Sequence, residues 1–314
     1  MAERMAEEQI KQAVRERYGG IARRMSEESG GGTVVRGCCG SQVSETGQRG
    51  ANDCCGSQAR EAGRVRSSNC CGPTEVTVGE GVAARFYSAE ELFGLPDSVT
   101  DASLGCGNPL AIAQLKTGEA VLDLGSGGGI DCFLAARQVG PEGRVIGLDM
   151  TPDMIKLARR NAKELGMTNV DFRYGEMEEM PIPDDSVDTI LSNCVINLSP
   201  DKDAVFREAY RVLRPGGRLS VSDIVVDGNL PQPVRDSLSA WAGCISGALD
   251  EQVYLDKIRA AGFEGIEIMS RDWTEFDDAL DWEGVQVMMD GPDLRPHDLA
   301  QKVVSIKVRA YKPK

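Results

Sequence analysis

The stretch from Val121 to Cys132 reads VLDLGSGGGIDC. A short apolar run carrying Asp123 leads into glycines at 125, 127, 128 and 129, and then into the helical pattern IDCFLAARQV at 130–139. Glycine belongs where the backbone turns sharply and a ligand must approach to contact distance. A dinucleotide fingerprint G-x-G-x-x-G counted from Gly125 would require its last glycine where Ile130 stands, which argues against a nicotinamide-binding dehydrogenase. The spacing present is D-x-G-x-G-x-G, from Asp123 to Gly129.

Outward from this loop the pattern alternates. RVIGLDM (144–150), VDFRY (170–174), SVDTILSN (186–193) and GRLSVSDIV (217–225) read as buried strands, separated by the helical stretches PDMIKLARRNAKEL (152–165) and DKDAVFREAYRVL (201–213). Strand alternating with helix implies a mainly parallel twisted sheet with helices on both faces, an α/β Rossmann-like fold. Two further helical segments, PVRDSLSAWAGCISGAL (233–249) and QVYLDKIRAAG (252–262), precede the strand-like FEGIEIMS (263–270) and SIKVRAYK (305–312). Ahead of all this, residues 5 to 24 carry Ile10, Val14, Tyr18 and Ile21 near helical spacing, and Gly19-Gly20 is expected to weaken or end that helix.

The motif from Asp123 to Gly129 resembles motif I of the class I S-adenosylmethionine methyltransferases. Three later features agree with it in order. Asp149 ends the second strand, where a carboxylate accepts ribose hydroxyls, with Met150 beside it for the adenine. GEMEEMP (175–181) offers Glu176 and Met177 to the adenine edge, and RVLRPGGRL (211–219) resembles the junction before that superfamily's fifth strand. The resemblance implies S-adenosylmethionine as methyl donor, held by Asp123, Gly125, Gly127, Asp149, Met150, Glu176 and Met177. Asn193 stands either against the cofactor or as a turn cap.

A net charge of -14 argues against a nucleic-acid partner, since a phosphate backbone calls for a basic face. The chain has no apolar run long enough for a bilayer and its first residues form no signal core, so neither a membrane nor secretion is expected and the location read is cytoplasmic. Ten cysteines in such a chain point to metal or metalloid binding, or to redox work, before structural disulfides. His297 is the one histidine, so Cys/His zinc sites and Cys-His catalysis are poorly supplied. From Ser26 to Gly81 the chain is rich in small polar residues and cannot bury a core. Within it the pairs Cys38-Cys39, Cys54-Cys55 and Cys70-Cys71 recur every 16 residues, each followed by glycine. Zinc is a weak reading of these pairs, because they lack C-x-x-C spacing.

The segments SLGCGNPLAIAQLKTGEAVLDLGSGGGIDCFLAA (103–136), SNCVINLSPDK (192–202) and WAGCISGAL (241–249) closely resemble those of the arsenite methyltransferase family. The likeness covers roughly residues 88 to 270 and leaves out the repeated CCG arm. It implies that Cys106, Cys194 and Cys244 bind trivalent arsenic, with Cys70 and Cys71 as candidates for a further relay thiol. The fold supports the same placement. Ligands in open α/β sheets bind at the carboxyl ends of the strands; Cys194 ends the fourth strand, Cys106 precedes the first, and Cys244 lies on the helix after the fifth. Soft thiolates suit a thiophilic ion. Cys132, on the helix after the glycine loop, is by contrast a small apolar filler.

The organisation expected is an N-terminal helix at 1–25, a flexible Cys-rich arm at 26–81, a cofactor-binding core at 82–230, and a C-terminal part at 231–314 that roofs the arsenic site and ends the sheet. The activity implied is methylation of arsenite and then methylarsenite, with thioredoxin or glutathione restoring the thiols. Two alternatives stand beside it: a methyltransferase for a small organic substrate such as a quinone or sterol, and a thiol-rich protein that sequesters metalloid.

Overall fold

In the computed structural model, the residues described are 2–28, 66–67, 74–75, 82–228, 246–273 and 302–314. The apolar runs quoted above become strands β1 (Ala120–Leu124), β2 (Arg144–Asp149), β3 (Val170–Tyr174), β4 (Val187–Asn193) and β5 (Leu213–Val226). Two later strands, β6 (Glu264–Asp272) and β7 (Val303–Tyr311), complete the sheet. Its order is β3-β2-β1-β4-β5-β7-β6, with the two-residue strand Leu249–Asp250 beside β5. The first five strands pair in parallel, whereas β7 runs antiparallel to both β5 and β6.

β1 is buried along its whole length, as a central strand covered on both faces must be. Successive side chains point to opposite faces, so Leu122 and Leu124 join one core with Phe206 and Tyr254, while Val121 joins the other with Phe133 and Phe172. α1 (Ala2–Glu28) precedes the sheet, and the helices α2 (Ile130–Val139), α3 (Pro152–Glu164), α4 (Lys202–Val212) and α5 (Glu251–Ala260) each follow a strand. Their starts obey local chemistry. Pro152 occupies the first turn of α3, where its missing N–H costs nothing, and Asp201 and Asp250 cap α4 and α5 through backbone N–H groups. Four short helices, Ala83–Phe86, Ala89–Leu92, Asp97–Thr100 and Leu110–Ala113, cover the approach to β1.

α1 differs from the expectation that Gly19-Gly20 would end it: the helix continues to Glu28. Tertiary packing overrides the propensity cost of glycine, about 1 kcal/mol in a helix interior. Gly19 is buried where α1 crosses the start of α3, and a Cβ there would sit 3.7 Å from Thr151 Cγ2 and 3.5 Å from Asp153 Oδ2. Beyond the glycines Ala22, Ile21 and Met25 pack with Ala102, Met154 and Leu157. Arg23 then pairs with Asp153 at 2.6 Å, and Arg160 donates to the carbonyls of Met25 and Ser26.

Candidate active site

The strand order reverses between β1 and β4, and a cleft opens at their carboxyl ends. It is lined by the glycine loop, by Asp149, Met150 and Met177, by Asn193 and Cys194, and from above by Val14 and Tyr18 of α1. Gly125 has φ +63, and a Cβ on it would lie 2.2 Å from Val195 Cγ2; no side chain can stand there. Gly127, at φ +51, faces open space where a Cβ would point. Its N–H donates to Asp149 Oδ2 at 3.0 Å, and the Thr151 N–H donates to Asp149 Oδ1 at 2.7 Å. The carboxylate at the end of β2 is thus fixed by backbone donors and retains acceptor capacity for hydroxyls.

The floor of the cleft is acidic. Burial raises the pKa of Asp149 above the ordinary carboxylate value against the pull of those two N–H groups. Asp123 is raised much further, by burial and then by the charge of Asp131. Asp131 is lifted by burial to about 6, although Tyr87 and Asn193 donate to it. Three carboxylates around one glycine loop favour a ligand bearing positive charge. Ser126 Oγ lines the same cleft, buried and without a hydrogen-bond partner among the described residues. Such a cradle fits the sulfonium and nucleoside of S-adenosylmethionine.

Glu176 does not line the cleft. Its carboxylate receives Lys11 at 2.5 Å and Arg15 at 2.6 Å from α1, and Lys11 also reaches Glu178 at 3.4 Å. Burial works to raise the Glu176 pKa, but the hydrogen bonds and charges of Lys11 and Arg15 outweigh it and hold the group below its usual value. The third strand's acidic turn therefore latches α1 over the cleft.

The thiols meet at the other end. Cys194 follows β4 directly, in the left-handed region at φ +58, with its N–H donating to the Ser222 carbonyl at 2.7 Å. Cys106 reaches the same carbonyl through Sγ at 3.7 Å, and its own carbonyl accepts from Ser305 Oγ at 2.9 Å. Asn193 ties the two segments: Oδ1 accepts from the Cys106 N–H at 3.1 Å, and Nδ2 donates to the Gly107 carbonyl at 2.8 Å and to Asp131 at 3.1 Å. The flanking glycines permit this approach, since a Cβ on Gly107 would collide with Ser222 Oγ at 2.0 Å. Both thiols are buried, and their Sγ atoms and a carboxylate oxygen of Asp223 all lie within 4.8 Å of one another.

Sequence reading missed Asp223, and with it Asp131 and Tyr87. The available signal was an acid inside GRLSVSDIV (217–225), a stretch that reads as a buried strand and forms part of β5. Burial pushes Asp223 up to about 7, against donors from Ile224, Tyr254 and Asn197 and the charge of Lys202. Cys132 stands apart from this group: it is fully buried in the core with Phe133, and its thiol donates to Asp123 at 3.2 Å. Cys244, Cys70 and Cys71 lie outside the described residues, as do the two upstream cysteine pairs. Among the described residues, no helix is long and apolar enough to cross a membrane.

Known proteins match this architecture. A family model described as a methyltransferase domain covers residues 115–279. The chain is 39% identical over 307 residues, 98% of its length, to an arsenite methyltransferase of Halobacterium salinarum, covering 67% of that protein. It is 44% identical over 166 residues to an arsenite methyltransferase of Aquipseudomonas alcaligenes, spanning 47% of that longer relative and 51% of this chain. The crystal structure of an arsenic(III) S-adenosylmethionine methyltransferase from Chlamydomonas reinhardtii superposes with a TM-score of 0.57 at 33% identity, covering 75% of each chain. The chain belongs to the arsenite methyltransferase family, on the class I S-adenosylmethionine-dependent methyltransferase fold.

Proposed function

We propose that the chain methylates trivalent arsenic held by Cys106, Cys194 and Cys244 as thiolates at the edge of the cofactor cleft. The observation that carries this reading is the meeting of two buried thiols from segments 88 residues apart, one of which, Cys194, also lines the cleft. Packing alone does not call for two soft ligands at a strand end whose neighbouring loop cradles a cationic cofactor.

The residues that would hold S-adenosylmethionine are Gly125, Gly127, Asp149, Met150 and Met177, with Asp123 beneath the loop and Asn193 at its far side. When bound, the cofactor supplies an electrophilic methyl on a sulfonium. The chain supplies position: thiolates fix arsenic with its lone pair toward the cleft, and no general base is needed for a nucleophile that carries no proton. Methylation takes arsenic formally from +3 to +5. Two thiolates then return it to +3 by giving up one electron each and joining as a disulfide. Thioredoxin or glutathione reduces that disulfide by thiol exchange, and a reducing cytoplasm keeps the site loaded with thiols. Cys70 and Cys71 are proposed to relay arsenic toward this site. The parts at 1–25, 26–81, 82–230 and 231–314 then act as helix, thiol arm, cofactor core and roof.

The test is arsenic speciation after the purified chain is incubated with S-adenosylmethionine, arsenite and a thiol. Methylated arsenic with stoichiometric S-adenosylhomocysteine is expected. Bound arsenic without cofactor consumption would mark a sequestering protein instead.

A further inference from the structure

Asp223 has no exposed surface, yet it sits within β5 beside Val221 and Val225 of the core that holds Tyr254 and Phe206. Among the described residues, three donors hold it. Asn197 Nδ2 and the Ile224 N–H reach Oδ1 at 2.9 Å each, and the Tyr254 hydroxyl reaches Oδ2 at 3.1 Å. A carboxylate presents about four acceptor directions, so acceptor capacity is left over among the described residues. A carboxylate oxygen of this group lies within 4.8 Å of both Cys106 Sγ and Cys194 Sγ. Structural duty to Asn197 and Tyr254 does not account for that third relationship.

The chemistry of loading does, given the thiol site proposed above, on which this inference rests. Arsenite enters with three hydroxyls. Each exchange forms one As–S bond and breaks one As–O bond, and the thiol proton leaves with the hydroxide as water. After exchange at two thiols arsenite still carries one hydroxyl, and the third thiol displaces it as a third water. Methylarsenite, with one valence spent on carbon, carries none at that stage. A carboxylate is a poor ligand for a soft ion but a strong acceptor for an O–H. We propose that Asp223 accepts a hydrogen bond from the last arsenic hydroxyl and so makes the site selective for arsenite in the first methylation.

Asp223→Asn keeps the shape of the side chain and one oxygen, while replacing the other oxygen by an amide donor. The full-length variant is compared with the wild type for kcat/KM on arsenite and on methylarsenite, and for S-adenosylmethionine affinity by calorimetry. The expected result is a loss of about tenfold or more on arsenite, the scale of one strong hydrogen bond, with methylarsenite and the cofactor changed by less than about twofold. Equal loss on both substrates, or an unchanged arsenite rate, overturns the proposal. Tyr254→Phe removes a single donor from the carboxylate and is the milder second variant, with the same selectivity expected at smaller amplitude; equal loss on both substrates there counts against the proposal too. Cys194→Ser run in parallel separates the two claims. Arsenite turnover retained in Cys194→Ser removes the thiol site and this proposal together, whereas an inactive Cys194→Ser beside an unselective Asp223→Asn overturns this proposal alone.

Discussion

The backbone N–H of Cys106 donates to Oδ1 of Asn193 across 3.1 Å, joining the loop before β1 to the carboxyl end of β4. Through this one side chain the two thiol-bearing segments hold a common register, because Nδ2 of Asn193 also donates to the Gly107 carbonyl and to Asp131. The site is therefore a junction of two loops, and its geometry depends on an amide that carries no reactive chemistry itself.

Asn193→Ala should release that junction. Removing the partner of several buried polar groups costs about 1–3 kcal/mol, readable as a shift in the denaturant midpoint. Arsenite methylation should fall more steeply than the cofactor affinity, since the thiols lose their alignment while the glycine loop keeps its own contacts. A variant with unaltered stability and rate would mean that the Cys106 segment is held elsewhere.

Asp149→Ala removes a carboxylate already positioned by the Gly127 and Thr151 N–H groups. S-adenosylmethionine binding should weaken by about 1.5–3 kcal/mol, the range for hydrogen bonds to a charged group. Calorimetric titration giving wild-type affinity would show that the ribose is bound by another group.

The latch from α1 supplies a pH and salt test. Lys11 and Arg15 hold the Glu176 pKa below the ordinary glutamate value of 4.5, so the native state binds fewer protons there than the unfolded chain. By linkage the latch contributes its full stability above that value and loses it as pH falls through the folded pKa. Glu176 is about one-third exposed, and with solvent screening the contribution is about 0.5–1 kcal/mol. Glu176→Gln should be destabilised by that amount at pH 7, and bind the cofactor more weakly because Val14 and Tyr18 line the cleft. The gap to the wild type should close at low pH and in high salt. A gap that is constant from pH 7 to below 4 would show that the ion pairs carry none of it.

Much of this site is legible in local pattern. The strand, the glycine turn and the helix lie within twelve consecutive residues, and the chemistry of glycine alone demands a close backbone approach there. The convergence of Cys106 and Cys194 follows from where strands end in a parallel sheet. Asp223 is different: its strand shows only an acid in a buried run, and the two thiols it stands beside, Cys106 and Cys194, lie 117 and 29 residues away in the chain. The same holds for Gly19, a helix breaker by propensity that becomes a packing surface once α3 lies against it. Glu176 stands where the superfamily pattern suggests an adenine contact, and only the folded position of α1 reveals Lys11 and Arg15 as its partners.

Valence separates the thiols. Arsenite can be gripped by three thiolates and methylarsenite by two, so the first methylation should depend on more cysteines than the second. Cys106→Ser should lose most arsenite methylation, about a hundredfold for a misplaced nucleophile, and largely retain methylarsenite methylation. Equal losses on the two substrates would refute the division of labour.

Cys194 lines the cofactor cleft and stands beside Cys106 and Asp223, so it serves every step proposed here. The most direct measurement is the parallel initial rate of Cys194→Ser on arsenite and on methylarsenite, with cofactor affinity determined on the same preparation. The expected result is loss of about a hundredfold or more on both substrates, at unchanged S-adenosylmethionine binding. Wild-type turnover of arsenite by Cys194→Ser would contradict the account of arsenic held by thiolates at the edge of the cofactor cleft.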